Sequence, residues 1–202
     1  MSLMYENPFF YNLFLKILHG TSLRKRYEII AQEIGENKRV FEPGCGTCFI
    51  YPYLQDGCEY VGLDLNPHFI RYNIKRKRSV YLKNIFDFDE YPPNDVILLC
   101  DILHHVVPRH EELIKGILGK TKKLIVSEPK ASFTVQRKFK RAASFLHRTF
   151  FEDDGINPID EMIEWDYPEE KLHALFTQCG CTNIIDGGFN SIAVFDRKEK
   201  VT

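Results

Sequence analysis

Short runs of consecutive apolar residues alternate along this chain with longer stretches in which apolar side chains recur every three or four positions. The runs at 39–43, 59–64, 79–84, 95–100 and 122–128 are too short for buried helices and read as strands covered on both faces. The stretches at 47–56, 67–77, 110–118 and 168–179 have helical spacing. Alternation of this kind predicts parallel strands joined by right-handed crossovers. The last two runs, 182–186 and 191–197, flank Gly187-Gly188-Phe189-Asn190 and read as an antiparallel hairpin. At the other end, Pro8 to His19 is apolar on nearly every side, with Lys16 as the interruption, and Leu23 to Ile34 has helical spacing with Gly35 as its stop. The first of these is too short to span a bilayer. It packs against the sheet or a partner, or it closes over a ligand.

The strand at 39–43 runs into Glu42-Pro43-Gly44-Cys45-Gly46, an acid followed by two closely spaced glycines. A tight turn without Cβ atoms lets backbone approach a ligand at the end of a buried strand. The second strand ends in Asp64, 18 residues beyond Gly46, where an acid is placed to hold a ribose diol. A dinucleotide fingerprint needs a third glycine five positions after the first. That position is Phe49, which disfavours a nicotinamide cofactor. Asn66 precedes Pro67 and reads as a helix N-cap.

Composition narrows the field further. At 202 residues and 23.7 kDa the chain suits one domain with a substantial core. A net charge of −1 and an isoelectric point near 6.7 give no overall attraction to nucleic acid or acidic membranes, so any such contact is local. The six cysteines, Cys45, Cys48, Cys58, Cys100, Cys179 and Cys181, come without a secretory signal and read as reduced, packed thiols of a cytoplasmic protein. Cys45-x-x-Cys48 lacks the second pair that a zinc site requires, and no metal is expected. Met1-Ser2-Leu3 ahead of Met4 reads as an added leader before a natural start at Met4.

The Glu42-x-Gly44-x-Gly46 arrangement, with Asp64 ending the next strand and a hairpin at the C-terminus, resembles class I S-adenosylmethionine-dependent methyltransferases. One departure is Cys48, where a third alternate glycine is usual. The resemblance runs from about residue 39 to 129 and returns near the C-terminus. It implies an α/β fold: a three-layer αβα sandwich around a mostly parallel seven-stranded sheet with a C-terminal antiparallel hairpin. It divides a single domain, 1–202, into N-terminal helices or lid (1–35), a cofactor-binding core (39–129), an acceptor-binding insertion (130–168), and a final helix and hairpin (169–202).

The resemblance also implies site residues. Glu42, Gly44, Cys45 and Gly46 are expected to cradle and orient S-adenosylmethionine, with S-adenosylhomocysteine as the product. Asp64 is expected to take the ribose hydroxyls and Leu65 to pack on the adenine. Asn84 and Ile85 match the adenine edge, and Cys100 and Asp101 the methionine end. His105, beside the expected methyl group, is the candidate general base, and its neighbour His104 belongs to a His-His pair common in the family. Glu128 ends the fifth strand, facing the same crevice, either to bind a cationic acceptor or to cap the next segment. No Asn/Asp-Pro-Pro-Tyr/Phe motif follows the fourth strand, which argues against methylation of a nucleobase amine.

The expected partner is a small-molecule acceptor methylated on oxygen or nitrogen. An RNA-directed enzyme is the alternative, using the basic segment Gln136 to Arg148 for phosphate contacts; a S-adenosylmethionine-binding protein without turnover is a further one. A second basic run, Arg71 to Arg78, lies far from the expected methyl group and reads as plain surface.

Overall fold

The computed structural model describes residues 3–130, 165 and 167–197. Seven strands, β1 (Arg39–Pro43), β2 (Glu59–Asp64), β3 (Val80–Leu82), β4 (Val96–Cys100), β5 (Lys123–Pro129), β6 (Asn183–Asp186) and β7 (Asn190–Asp196), form one sheet in the order β3-β2-β1-β4-β5-β7-β6. The first five are mutually parallel, and β7 inserts antiparallel between β5 and β6. Strand order therefore reverses between β1 and β4, and this is where an open α/β sheet offers a crevice at its carboxyl edge.

Alternate residues of the central strands feed two cores. Phe41, Ile97, Leu99, Leu124 and Val126 face one side, where α4 (His110–Leu118) and α5 (Glu169–Gln178) cover them with Leu113, Ile117, Leu172 and Phe176. Val40, Val96, Leu98 and Ile125 face the other, under Leu23, Tyr27, Ile30 and Ile34 of α2 (Pro8–Ile34) and Ile70 of α3 (Pro67–Ile74). The result is the expected three-layer αβα sandwich. A short helix, α1 (Leu3–Glu6), precedes α2.

Three expectations need correction. The stretch 47–56 is no α-helix: a turn leads into a single 3-10 turn at Tyr51–Tyr53. Cys48 has φ 54°, outside the helical region, and Tyr27 of α2 stacks on Phe49 and Tyr53 at ring separations of 5.9 and 5.7 Å, filling the space a helix would need. The two N-terminal helical stretches are one element, α2, kinked at Gly20 (φ 51°, ψ −131°), a conformation that glycine adopts without a Cβ penalty. The helix after β2 ends at Ile74 rather than 77, because Lys77 turns to φ 59°. The insertion 130–168, with its basic segment 136–148, lies outside the described residues except for Lys130, Trp165, Tyr167 and Pro168.

At the sheet edge away from the crevice, Arg39 donates to Asp95 from its backbone N (2.9 Å), Nε (3.1 Å) and Nη2 (2.8 Å). This clasp sets β1 against the start of β4. Its hydrogen bonds to Arg39 hold the Asp95 carboxyl down to about 2. A depressed carboxyl stabilises the fold above its unfolded-state titration, and the contribution disappears as pH falls through about 2. Both side chains are substantially exposed, so Asp95→Asn is expected to cost under about 1 kcal/mol at pH 7. Urea midpoints of the two proteins should converge as pH is lowered toward 2.

Candidate functional site

The turn after β1 is built by backbone. The N–H groups of Gly44 and Cys45 both donate to the Leu63 carbonyl, at 2.8 and 2.9 Å, tying the turn to the end of β2. Gly44 and Gly46 have φ of 73° and 50°, and a Cβ on Gly44 would stand 2.5 Å from Ile102 Cδ1. The positive φ favours glycine, and a Cβ would also have to displace the Ile102 side chain. From α3, Asn73 Nδ2 donates to the Gly46 carbonyl (2.8 Å), and from the turn beyond it Arg78 Nη1 donates to that of Thr47 (2.7 Å). The Asp64 carboxylate accepts the Gly46 N–H on Oδ2 (2.8 Å) and the Asn66 N–H on Oδ1 (2.7 Å). Both carboxylate oxygens are thus oriented by backbone donors at the end of β2. Asn66 caps α3, accepting from the His68 and Phe69 N–H groups, and its Nδ2 donates to the Tyr5 carbonyl at 2.8 Å.

The loop after β4 depends on a buried acid. Glu128 is fully buried, and its Oε1 accepts the N–H groups of both Ile102 and Leu103 at 2.7 Å. Its Oε2 lies 2.8 Å from His104 Nδ1. This differs from both sequence readings of Glu128, a partner for a cationic acceptor or a cap for the segment after β5: what it holds is the loop after β4. His104 is thereby engaged in holding the loop. The next residue, His105, turns into the cavity, its ring 4.3 Å from that of His104 and edge-on to Tyr5 at 6.4 Å.

Asp101 adopts φ 54° at the end of β4, uncommon for a non-glycine residue but tolerated by aspartate. Arg26 Nη1 donates to both of its oxygens (2.9 and 2.7 Å), and Asn190 Nδ2 donates to Oδ1 (2.8 Å). Arg26 is 2% exposed. Burial works against its charge, and Asp101 outweighs that, so its pKa stands above the ordinary range. The contact joins α2, β4 and β7 beneath the site.

These elements enclose a cavity of about 300 Å³ at the carboxyl edge of the sheet, at the lower end of the range for small-molecule sites. Gly44, Gly46, Asp64, Leu65, Asn84, Ile85, Cys100, Asp101 and His105 all line it. Glu42 and Cys45 do not. Glu42 lies 2% exposed beneath the turn, accepts the Tyr60 hydroxyl, and is pushed by burial well above the usual carboxylate range. Cys45 is likewise buried, with its thiol beside Gly62. Their reach toward a ligand is through the backbone they set.

Several wall and support residues escaped the sequence reading. Tyr5 and Tyr11 close the cavity from α1 and α2, and Phe69 lies 4.8 Å from the Tyr11 ring. Burial, then Tyr5 and the Asp101 and Asp64 carboxylates, push the Tyr11 phenol well above its ordinary range, so it stays a hydrogen-bond donor. Arg26 had a legible signal, a charge within the apolar stripe Leu23, Tyr27, Ile30 and Ile34. Tyr5 and Tyr11 had none, since aromatic residues fill every side of that segment.

Residues 41–123 match the methyltransferase domain family. Among solved structures, the Pnkp1/Rnl/Hen1 RNA repair complex is 16% identical with a TM-score of 0.55 over 87% of this chain. The small RNA methyltransferase HEN1 is 17% identical with a TM-score of 0.60 over 89%. This chain spans only 41% and 26% of the lengths of those two. Magnesium protoporphyrin IX methyltransferase from Synechocystis PCC 6803, solved with S-adenosylhomocysteine, is 14% identical with a TM-score of 0.59 over 88% of this chain and 82% of its own. No curated protein matches the sequence. The match over residues 41–123 makes the central part of this chain similar to methyltransferase domains, and the solved structures share its fold.

If Glu128 holds the loop as described, Glu128→Ala strands two buried N–H groups, at about 1–3 kcal/mol each. The variant is expected to lose on the order of 3 kcal/mol in urea unfolding. Its affinity for S-adenosylhomocysteine, read by calorimetry, should fall as well, because Asp101 and Ile102, at the start of this loop, line the cavity.

Proposed function

We propose that this enzyme transfers the methyl group of S-adenosylmethionine to a small-molecule acceptor, on oxygen or nitrogen. The observation that carries this reading is the convergence of Asp64, the glycine turn, Asn84, Asp101 and His105 on one cavity. The cavity fits the cofactor in its chemistry. A paired-acceptor carboxylate stands at the end of β2, a Cβ-free turn lies beside it, and Leu65 and Ile85 supply apolar wall between them. Asp64 would hold the ribose hydroxyls, Leu65 and Ile85 the adenine, Asn84 its polar edge, and the backbone at Cys100 and Asp101 the methionine end. The bound cofactor supplies an electrophilic methyl group on a sulfonium.

The chain's own contribution is placement. Collinear positioning of nucleophile and leaving group is worth on the order of 7–11 kcal/mol, and the Glu128-pinned loop and the Asp64-pinned turn are the rigid parts that provide it. His105 serves as general base, taking the acceptor's proton. A placed base contributes about 10²–10⁴-fold. His104, tied to Glu128, sets the orientation of its neighbour. The six free thiols support a cytoplasmic setting. Two structural relatives are RNA-directed by their descriptions, and an RNA acceptor is distinguished by turnover that collapses with added salt.

Calorimetric titration tests the cofactor assignment. S-adenosylmethionine and S-adenosylhomocysteine should bind and NADH should not, and Asp64→Ala should weaken both by more than tenfold. Unchanged affinity in that variant would remove the ribose role.

For His105, Ala substitution should leave S-adenosylhomocysteine affinity near wild type. Turnover of an oxygen acceptor, once one is found by screening, should drop by about 10²-fold or more. Wild-type turnover in H105A would sink the base assignment.

A further inference from the structure

The first half of α2 has two faces with opposite characters. On the inner face Tyr11 enters the cofactor cavity, while Asn12 accepts from Thr47 Oγ1 (2.6 Å) and donates to the Tyr72 hydroxyl (2.9 Å). On the outer face Phe9, Leu13 and Ile17 follow one another at four-residue spacing, with Phe10 alongside. They are 67%, 44%, 74% and 46% exposed. Single exposed apolar residues are ordinary, but a contiguous stripe of them marks a contact surface.

Cations flank this stripe. Arg71, Lys75, Arg76 and Lys77 on and after α3 are exposed and form no ion pair among the described residues, and Ile74 stands among them at 57% exposure. The Arg76 guanidinium lies 3.6 Å from the centre of the Tyr72 ring, and Tyr72 is bonded to Asn12, so the basic run abuts α2. Lys16, on the flank of the stripe toward α3, shares a cavity of about 380 Å³ with Asn12, Tyr72 and Arg78. No acidic residue occurs between Asp64 and Asp87. In a chain of net charge −1, this is a local concentration of positive charge.

We propose that the outer face of α2, with the basic run of α3, docks on an anionic lipid bilayer. The apolar stripe enters the headgroup boundary, and Lys16, Arg71, Lys75, Arg76 and Lys77 meet lipid phosphates. An amphipathic helix lying in the interface needs this pairing of aromatic and aliphatic side chains with cations. Among the described residues no helix is long and apolar enough to cross a membrane; the proposed contact lies on its surface. Single-stranded RNA fits the cations and finds rings in Phe9 and Phe10, but Leu13, Ile17 and Ile74, the rest of the apolar surface, offer none on which a base can stack. A second copy of the chain would bring further uncompensated cations to the same seam. The proposal is independent of the acceptor assigned above.

Co-sedimentation of the full chain with phosphatidylcholine vesicles, with and without phosphatidylglycerol, tests it. Binding is expected only with the anionic vesicles and should weaken as salt rises. The triple variant Arg71→Gln/Lys75→Gln/Lys77→Gln should lower the partition coefficient about a hundredfold. Leu13→Ser/Ile17→Ser should lower it at least tenfold, and both variants should keep wild-type melting temperature and S-adenosylhomocysteine affinity. Equal binding to neutral and anionic vesicles, no vesicle binding, or variants that bind like wild type would overturn the proposal. So would a concentration-dependent dimer abolished by Leu13→Ser/Ile17→Ser in sedimentation velocity, or salt-sensitive binding of single-stranded RNA in place of vesicles.

Discussion

The site depends on one fully buried carboxylate, Glu128, which ends β5 and satisfies the backbone of the loop after β4. Where a strand stops, its backbone donors lose their ladder partners, and in a buried position each unpaired N–H carries a desolvation cost. Here a neighbouring strand supplies the missing acceptor. One oxygen takes the two N–H groups, and the other is left for His104. Loop geometry, the orientation of the His-His pair and the position of Ile102 over Gly44 all follow from that arrangement. Gly44 is favoured by its φ of 73°, and a Cβ there would also meet the Ile102 side chain.

A second polar layer repeats the logic one strand-end away. Asp64 accepts from Gly46 and Asn66, and Asp101 accepts from Arg26 and Asn190. The central sheet below is apolar and nearly closed to water, and it defines only where the strands end. Asp64 and Glu128 then fix loop backbone at the strand ends, and Asp101 ties α2 and β7 to the end of β4 through side chains, which is the preorganisation a displacement reaction draws on. The buried Arg26–Asp101 contact is costly in desolvation, and its justification is positional. It joins the N-terminal helix to the site, so that Tyr11 and the cavity floor are held in one frame.

How much of this could be read from the residues follows from how local each determinant is. The strands and their burial on both faces were legible because apolar period is a local property: Ile97, Leu98 and Leu99 alternate between cores regardless of what covers them. The cavity-lining positions at strand ends were legible for the same reason, since Gly44, Asp64, Asn84 and Asp101 each follow an apolar run. The helix expected at 47–56 failed because its fate was decided at a distance, by Tyr27 stacking on Phe49 and Tyr53. Glu42 and Cys45 sit where the motif puts them in the chain, yet burial beneath the turn directs their side chains away from the cavity. Arg26 was a visible irregularity in an apolar stripe. Its partner, Asp101, lies 75 residues away, and no spacing rule connects them.

The N-terminal helix shows why a uniformly apolar segment is hard to read. Pro8 to His19 has no polar face to distinguish core from surface, so its hydrophobic pattern could not say which side packs inward. The inward side is selected by two polar anchors: Asn12, bonded to Thr47 and Tyr72, and Asn66, whose side chain holds the Tyr5 carbonyl. Those few hydrogen bonds orient the whole segment, because rotating it would strand them while exchanging one apolar face for another of similar area. The side left outward is therefore apolar by consequence of the segment's composition. It is this apolar face beside cations on and after α3 that form no ion pair among the described residues that motivates the bilayer contact proposed above.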